Sequence, residues 1–369
     1  MKKVGIAAFG HTPFTRTEEK IENILGESVV NLFDKNSKMN KNTIEGIIIS
    51  TNDNSKYLSP IVSEMIGIQP NITHSLESLC SSGSNALVSG YSYISSGLAD
   101  VILICGGETF DNPGQVLEWD NSRGEFKHPI FWGSIFSKTY KETFGVSDEQ
   151  LAIVPVKNHQ HAKHNPYALT NETFTLQQVL NSKIITDDLR LLDCSRSCTG
   201  SASIVLASED AINEITKEPI WITGIGQKTT SAGFTKTNSF DTMESTKIAG
   251  KTALEMSKHR IKDIDVAEVH DAFSVCEPMA LEALSFTERG KGAQMVKEMY
   301  ETEDFKINPR GGLIGAGHPL GATGISQTIE IVQQLQNNAG KRQVDSPSIG
   351  LVHNMAAAAT SSTVLVLEK

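Results

Sequence analysis

Short runs of apolar residues alternate along the chain with longer segments in which apolar positions recur at helical spacing. A continuous apolar run is typical of a strand that is covered on both faces, and recurrence every three or four residues is typical of a helix. The pattern predicts helices at 84–96, 245–258 and 323–336. It predicts strands at Val4–Phe9, Gly46–Ser50, Val101–Cys105, Ser203–Ala207, Ile220–Ile225, Val266–Val269, Ile349–His353 and Thr363–Leu367. This alternation indicates an α/β fold with buried sheets.

The chain shows a two-fold repeat of this pattern, which divides it into residues 1–218 and 219–369. In each part a turn of small residues leads into a long helix and then a central strand; the turns are 80–84 and 317–324. A duplicated half-domain explains the repeat, and chance similarity between two α/β segments is the alternative. A segment at about 110–150, which contains Trp119, interrupts the pattern. We interpret it either as a functional insertion or as a loop that packs on its own core.

Composition narrows the possible functions. The chain has 33 basic and 43 acidic side chains and a net charge of −10, which argues against a nucleic-acid partner. No apolar run approaches the ~20 residues that cross a bilayer, so we expect no membrane partner. The odd number of cysteines, five, favours a reducing, cytoplasmic location over a disulfide framework. The spacing of His159, His161 and His164 does not suit a metal site, and we expect none.

Four motifs contain the residue types that chemistry needs. Cys80 stands at a predicted helix start, where unpaired N–H groups would lower the pKa of its thiol. His270 follows a predicted strand, at the place where open α/β sheets bind ligands. His318 follows Gly317 in a segment with six glycines among residues 311–324. His353 and Asn354 end the last central strand. Taken singly, Cys80 fits a packed structural thiol better than a nucleophile, and a capped turn explains His270 as well as a ligand site does.

The order of these motifs resembles the thiolase superfamily over essentially the whole chain. The motifs are Cys80 at a helix start, His270-Asp271-Ala272-Phe273, the segment 311–324 with Gly317-His318-Pro319, and His353-Asn354. The similarity is greatest to the sterol-carrier-protein-like and archaeal acetyl-CoA acetyltransferase branch. It implies a thiolase fold with duplicated βαβαβαββ halves, in which mixed five-stranded sheets form α-β-α-β-α layers. It also implies a homodimer or tetramer.

The resemblance implies an acetyl-CoA C-acetyltransferase, which interconverts two acetyl-CoA with acetoacetyl-CoA and CoA. Cys80 would carry the acetyl group as a thioester, and His318 would take the proton of the thiol. His270 would bind the enolate oxygen, and Asn354 and Gly317 would complete or orient this oxyanion hole. Coenzyme A thioesters are then the substrates, no cofactor is tightly bound, and the residues that bind CoA are not placed.

This sequence departs from the family where thiolases carry a second cysteine. Ala272 and Met355 occupy the two usual positions, so His353 is the nearest replacement base and Cys276 a weaker one. One alternative, which the segment at about 110–150 would decide, is an acyltransferase or a 3-oxoacyl-CoA thiolase for another acyl chain. Another is a scaffold or acyl-binding subunit of low activity, beside a small OB-fold zinc-ribbon protein and HMG-CoA synthase.

Overall fold

The structure is a computed structural model that describes residues 1–36, 39–111, 124–233, 237 and 239–369. The strands are β1 Val4–His11, β2 Gly46–Ser50, β3 Ile72–Leu76, β4 Val101–Glu108, β5 Ile184–Thr186, β6 Leu189–Arg190, β7 Gly200–Ser208, β8 Ile220–Thr229, β9 Val266–Glu268, β10 Ile349–Ala356 and β11 Ser361–Glu368. The helices are α1 Ile21–Lys35, α2 Leu58–Ile66, α3 Ser82–Ser95, α4 Pro129–Phe144, α5 Asp148–Ala162, α6 Leu176–Leu180, α7 Glu244–Ser257, α8 Cys276–Ala283, α9 Gly292–Glu301, α10 Gly312–Ala316 and α11 Leu320–Leu335. The eight predicted strands and three predicted helices are confirmed to within a few residues.

The main sheet is continuous through both halves of the chain. Its strand order is β3-β2-β4-β7-β1-β8-β11-β10-β9. The first five strands come from the first half, and the last four come from the second half. β1 and β8 join the halves through two residue pairs, Gly5 with Trp221 and Ile6 with Ile220. The duplicated layout that the sequence predicts is therefore present.

The second half lacks a full fifth strand among the described residues. A single parallel bridge between Ala267 and Ile307 stands at the place that β3 has in the first half. Pairing ends there because Asn308 adopts a positive φ of 55° and turns the chain away. The side chain of Asn308 then accepts a hydrogen bond from the backbone N–H of Val269 at 2.8 Å. The second half thus contributes four strands and one bridge to the main sheet, whereas the first half contributes five strands.

The layers follow from the alternation of side chains along each strand. Ile47 and Ile49 pack against the outer helices α1 and α2, whereas Ile48 packs against the central helices α3 and α11. In the second half Val364 and Val366 face α7, whereas Leu365 faces the central helices. The order is therefore helix, sheet, helix, sheet, helix, as the resemblance implies.

The two central helices approach each other closely, and this contact places the site. A Cβ atom on Gly324 would lie 2.5 Å from the backbone nitrogen of Ser84, and one on Gly83 would lie 2.9 Å from the carbonyl oxygen of Gly321. Side chains at these positions would push α3 and α11 apart. The N-termini of both helices therefore lie side by side, next to the carboxyl ends of β4, β9 and β10.

The segment at about 110–150 lies only partly within the described residues. Residues 112–123, with Trp119, lie outside them, and α4 occupies much of the remainder. Trp132 and Phe136 of α4 pack edge to face at 5.5 Å and belong to the core of the second half. No described helix is long and apolar enough to span a membrane.

Candidate active site

Cys80 lies on a sharp turn between β3 and α3. The preceding residue, Leu79, adopts a positive φ of 50°, a conformation that a leucine rarely takes. The hydroxyl of Ser82 donates to the carbonyl of Leu79 at 2.6 Å and accepts from the backbone N–H of Ser78 at 2.7 Å. These bonds hold the strained turn and direct the Cys80 thiol into a pocket.

The pKa of the Cys80 thiol departs from the sequence expectation. Burial raises this pKa to about 12, and the nearby carboxylates of Glu108 and Glu77 act in the same direction. The backbone N–H of Cys80 itself opposes the rise but does not overcome it. The expectation of a lowered pKa is therefore wrong, because desolvation outweighs the helix N-terminus. The resting thiol is neutral and needs a base when it reacts.

His318 is arranged to be that base. Its Nδ1 lies 2.8 Å from the hydroxyl of Thr323, and that hydroxyl donates its own proton to the carbonyl of Pro319 at 2.9 Å. Thr323 must therefore accept from His318, so Nδ1 carries the ring proton. The Nε2 atom is buried and has no hydrogen-bond partner among the described residues. Burial lowers the pKa of His318 to about 3, which keeps this lone pair free.

His270 carries its proton on the opposite ring nitrogen. The Nδ2 amide of Asn354 donates to Nδ1 of His270 at 2.9 Å. The proton of the neutral ring is therefore on Nε2, which makes that atom a donor. Burial and the nearby His318 hold the pKa of His270 well below its ordinary value, so the ring stays neutral.

Cys80, His270 and His318 meet in one cluster. The Cys80 Sγ and one ring nitrogen of each histidine all lie within 4.8 Å of one another. The two rings are nearly perpendicular, with centroids 5.2 Å apart. Because Thr323 and Asn354 engage the two Nδ1 atoms, the nitrogens left for this cluster are the unprotonated Nε2 of His318 and the Nε2–H of His270. The Cys80 Sγ and these two nitrogens also have the composition of a zinc-ligand set, although the sequence predicts no metal.

A buried acid supports this cluster from below. Asp271 accepts hydrogen bonds from the backbone N–H groups of Leu313 at 2.6 Å and Ile314 at 3.3 Å. The carboxylate reaches them because Gly312 has no side chain; a Cβ there would collide with both Asp271 oxygens. Asn158 donates to the same carboxylate at 2.7 Å. The glycine-rich segment is therefore fixed relative to His270.

The remaining predicted residues lie behind the cluster. Both ring nitrogens of His353 are engaged: Nδ1 accepts from the backbone N–H of His270 at 3.4 Å, and Nε2 donates to Thr246 at 3.0 Å. Gly317 has a φ of 104° and uses its N–H to bond Leu313 at 3.0 Å. The structure therefore gives both residues orienting contacts, and this placement disfavours His353 as a base that touches substrate.

Cys194 is a pocket residue that the sequence does not reveal. It lines the same cavity, of about 100 Å³, as Cys80 and His318. Its backbone forms an antiparallel bridge with Phe273, and the next N–H, of Ser195, donates to the carbonyl of Ala272 at 2.9 Å. Cys194 thus lies beside the position where relatives carry a thiol. Cys276, the substitute inferred from sequence, is fully buried in α8 and does not line the cavity.

The fold is a duplicated α/β architecture with one cysteine and two histidines clustered where its halves meet. Residues 4–209 match the family model described as thiolase, N-terminal domain, and residues 226–369 match the thiolase C-terminal domain-like model. The chain therefore belongs to the thiolase family.

Known relatives agree with this assignment. The chain is 33% identical to an acetyl-CoA acetyltransferase of Methanothermobacter thermautotrophicus over 325 residues, which are 85% of this chain and 84% of that protein. It is 34% identical to sterol carrier protein 2 of Oryctolagus cuniculus over 304 residues, or 75% of this chain and 55% of that protein. The chain thus spans about half the length of sterol carrier protein 2.

Solved structures show the same fold. The Ltp2-ChsH2(DUF35) aldolase superposes with a TM-score of 0.87 at 20% identity, covering 99% of this chain and 97% of that one. An acetyl-CoA acetyltransferase from Syntrophomonas wolfei superposes with a TM-score of 0.76 at 16% identity, covering 100% and 99%. At these identities the likeness concerns the fold alone.

Proposed function

We propose that the protein is an acetyl-CoA C-acetyltransferase, which joins two acetyl-CoA into acetoacetyl-CoA and CoA through an acetyl-Cys80 intermediate. One observation carries the proposal: Cys80 meets a histidine that offers a lone pair and a histidine that offers a proton, all within 4.8 Å. The 33% identity to an archaeal acetyl-CoA acetyltransferase supports the same choice.

The first half-reaction acylates Cys80. Nε2 of His318 takes the thiol proton as sulfur attacks the thioester carbonyl of acetyl-CoA. The new bond joins Cys80 Sγ to the acetyl carbon, and the bond from that carbon to the sulfur of CoA breaks. The departing CoA thiolate then takes the proton back from His318. The first half-reaction thus ends with the acetyl group on Cys80, a protonated CoA and a neutral His318.

The second half-reaction forms the carbon–carbon bond. A base removes a proton from the methyl carbon of a second acetyl-CoA, and Nε2–H of His270 stabilises the enolate oxygen. We assign the base to Cys194, because it is the cysteine besides Cys80 that lines the cavity. Burial raises the pKa of the Cys194 thiol to about 12, so Nε2 of His318, which is free again once CoA has left, first takes the Cys194 proton. The Cys194 thiolate then takes the proton from the methyl carbon. The enolate carbon attacks the acetyl carbonyl, the bond to Cys80 Sγ breaks, and the Cys80 thiolate takes its proton from His318.

The shape of the cavity supports a short acyl group. Its open space is only about 100 Å³, and Ile130, Trp132 and Phe273 contribute apolar walls. An apolar pocket of this size is suited to acetyl and acetoacetyl groups. A thiolase for longer 3-oxoacyl-CoA would need these walls to move.

A second candidate is an enzyme that depends on a partner subunit. Ala272 and Met355 stand where related thiolases carry the second cysteine. One structural neighbour is an aldolase whose described complex includes a DUF35 protein. We infer that a small OB-fold zinc-ribbon partner, with HMG-CoA synthase beyond it, is the assembly to look for. A homodimer in the cytoplasm is part of the same proposal.

Intact-mass measurement after incubation with acetyl-CoA tests the main proposal. The wild type should gain the mass of one acetyl group, and Cys80→Ala should gain none. Cys105→Ala is the matched control, because this buried thiol in β4 lies outside the cavity; it should acylate like the wild type. An adduct that persists in Cys80→Ala would contradict the assignment. Rates of thiolysis of acetoacetyl-CoA and of longer 3-oxoacyl-CoA then show which acyl chain the enzyme prefers. Full activity of the purified chain without a partner would contradict the second candidate.

A further inference from the structure

Two consecutive residues of β10 hold His270 from behind. His353 accepts from its backbone N–H, and Asn354 donates to its ring. The direction of the second bond matters, because it decides whether the ring proton of His270 is on Nδ1 or on Nε2, the nitrogen that is left for the cluster with Cys80. An amide side chain can in principle point either way, so the direction has to be fixed by something that cannot turn.

A backbone carbonyl supplies that fixed point. The carbonyl oxygen of His353 can only accept, and the Nε2 amide of Gln327 donates to it at 3.3 Å. The Oε1 atom of Gln327 is therefore turned toward Asn354, whose Nδ2 donates to it at 3.2 Å. The same Nδ2 has one further proton, which goes to Nδ1 of His270 at 2.9 Å. The hydroxyl of Ser84 completes the chain by donating to Oδ1 of Asn354 at 2.8 Å.

Every member of this relay is buried in α3, α11 or β10. Asn354 and Gln327 are fully buried, as is Ser84. Reversing the amide of Asn354 would set Oδ1 against Oε1 of Gln327, and reversing Gln327 as well would set that oxygen against the carbonyl of His353. Either change leaves two buried acceptors face to face, which costs free energy because neither can find water.

We propose that Asn354 is a positioning residue that locks His270 in the tautomer with the proton on Nε2, and that this lock keeps the cluster of Cys80, His270 and His318 from binding a divalent transition metal. Zinc needs a lone pair from each ligand. Cys80 and His318 can supply theirs, but the Nε2 lone pair of His270 is replaced by a proton. In zinc sites the second nitrogen of a ligating histidine donates to an acceptor, usually a carboxylate or carbonyl. Asn354 presents a donor instead.

Asn354→Asp exchanges the donor for an acceptor of the same shape and is the sharpest test. The variants of this test and their reference all carry Gln327→Met, because Oε1 of Gln327 would otherwise face the introduced oxygen. The carboxylate of Asn354→Asp would then accept from Nδ1–H of His270 and free the Nε2 lone pair. We expect Co²⁺, added alone as a spectroscopic probe, to bind Asn354→Asp at least ~10–100-fold more tightly than the reference that keeps Asn354, the usual effect of a supporting residue on metal affinity. A thiolate-to-cobalt absorption band should appear, and a further substitution, Cys80→Ala, should abolish it.

Asn354→Leu is the matched control, because it removes the donor without adding an acceptor. Its affinity for Co²⁺ should rise less than that of Asn354→Asp. An equal rise in both variants would mean that opening of the site, not the proton position, admits the metal, and would overturn the proposal. Equal affinity of Asn354→Asp and the reference that keeps Asn354 would overturn it as well.

Nitrogen NMR of wild-type protein labelled at its histidines gives an answer that needs no folded variant at position 354. His270 should show its proton on Nε2, and His318 should show it on Nδ1; each signal is assigned by its loss in the corresponding His→Gln variant. A proton on Nδ1 of His270 would refute the lock directly. The catalytic meaning of the lock rests on the proposed function, but neither cobalt binding nor the NMR signal requires turnover. A protein that has the lock and lacks acetyltransferase activity would therefore disprove only the proposed function.

Discussion

The opposite proton positions of the two histidines predict that acylation of Cys80 depends on His318 and not on His270. Replacing His318 removes the lone pair that faces Cys80, so acylation should slow about 10²–10⁴-fold, the usual contribution of a general base. Replacing His270 removes one donor to the enolate oxygen. The loss of one such donor costs about 3 kcal/mol, or roughly 10²–10³ in rate, and should fall on carbon–carbon bond formation.

The two half-reactions can be measured separately. Exchange of labelled CoA into acetyl-CoA reports acylation alone, and single-turnover mixing of acetyl-enzyme with acetyl-CoA reports condensation. His318→Ala should lose exchange, whereas His270→Ala should retain most of it and lose condensation. Glutamine variants sharpen the test: His270→Gln keeps a donor and should recover part of the condensation rate, but His318→Gln has no basic nitrogen and should recover nothing. If both alanine variants lost both half-reactions equally, the division of labour inferred from the hydrogen bonds would be wrong.

Three further predictions concern the cysteines and the turn after β10. Cys194→Ala should slow condensation about 10²-fold or more while exchange persists, and Cys276→Ala, whose thiol is sealed in α8, should change neither rate; the reverse order of effects would exclude Cys194 as the base. Alkylation of Cys80 by iodoacetamide, measured by peptide mass, should keep accelerating up to about pH 9, because burial raises the pKa of this thiol to about 12; a plateau near neutral pH would reveal a thiolate already held by His318. Ala358→Gly should leave the free energy of unfolding in denaturant unchanged or raise it by up to about 1 kcal/mol, because Ala358 adopts a positive φ of 64°; a clear loss of stability would show that its methyl contact outweighs the backbone strain.

Much of the fold can be predicted from the sequence because buried strands appear as continuous runs of apolar residues. Residues such as Ile47, Ile48 and Ile49 are apolar on both faces, since one face meets outer helices and the other meets central helices. No apolar run marks the position at which the second half has a single bridge in place of a fifth strand. Strand pairing there ends at Asn308, which adopts a positive φ, and the sequence of a polar segment does not predict the backbone angle of an asparagine within it.

The site is predictable as a set of residues and not as a set of protonation states. Motif order points to Cys80, His270 and His318, and the structure brings these three together. The proton position of His318 depends on a local contact with Thr323, five residues further along the chain. The proton position of His270 depends on Asn354 and Gln327, which belong to β10 and α11. Such contacts have no periodicity that a sequence pattern could show.

The same limit explains the thiol pKa and Cys194. A helix start indicates a lowered pKa, but the extent of burial around Cys80 is set by α4, the turn after β10 and the loop at 194–198, none of which is its neighbour in sequence. Cys194 reaches the pocket through one antiparallel bridge to Phe273, in a stretch with no strand pattern of its own. An isolated bridge requires only two residues to meet, so no pattern of apolar positions marks it.

Duplication of the fold accounts for why the nucleophile and the base meet at all. Cys80 precedes α3 and His318 precedes α11, and these are the corresponding central helices of the two halves. Because glycines let the helices touch, their N-termini point the same positive potential at one small volume. That potential disfavours an imidazolium at His318 and favours a thiolate at Cys80. Its two effects on a resting thiolate–imidazolium pair are therefore opposite. Burial adds to the first effect and outweighs the second, which leaves a neutral pair whose proton moves only when the thioester arrives. An isolated half would retain one of the two groups and neither the pocket nor the transfer between them.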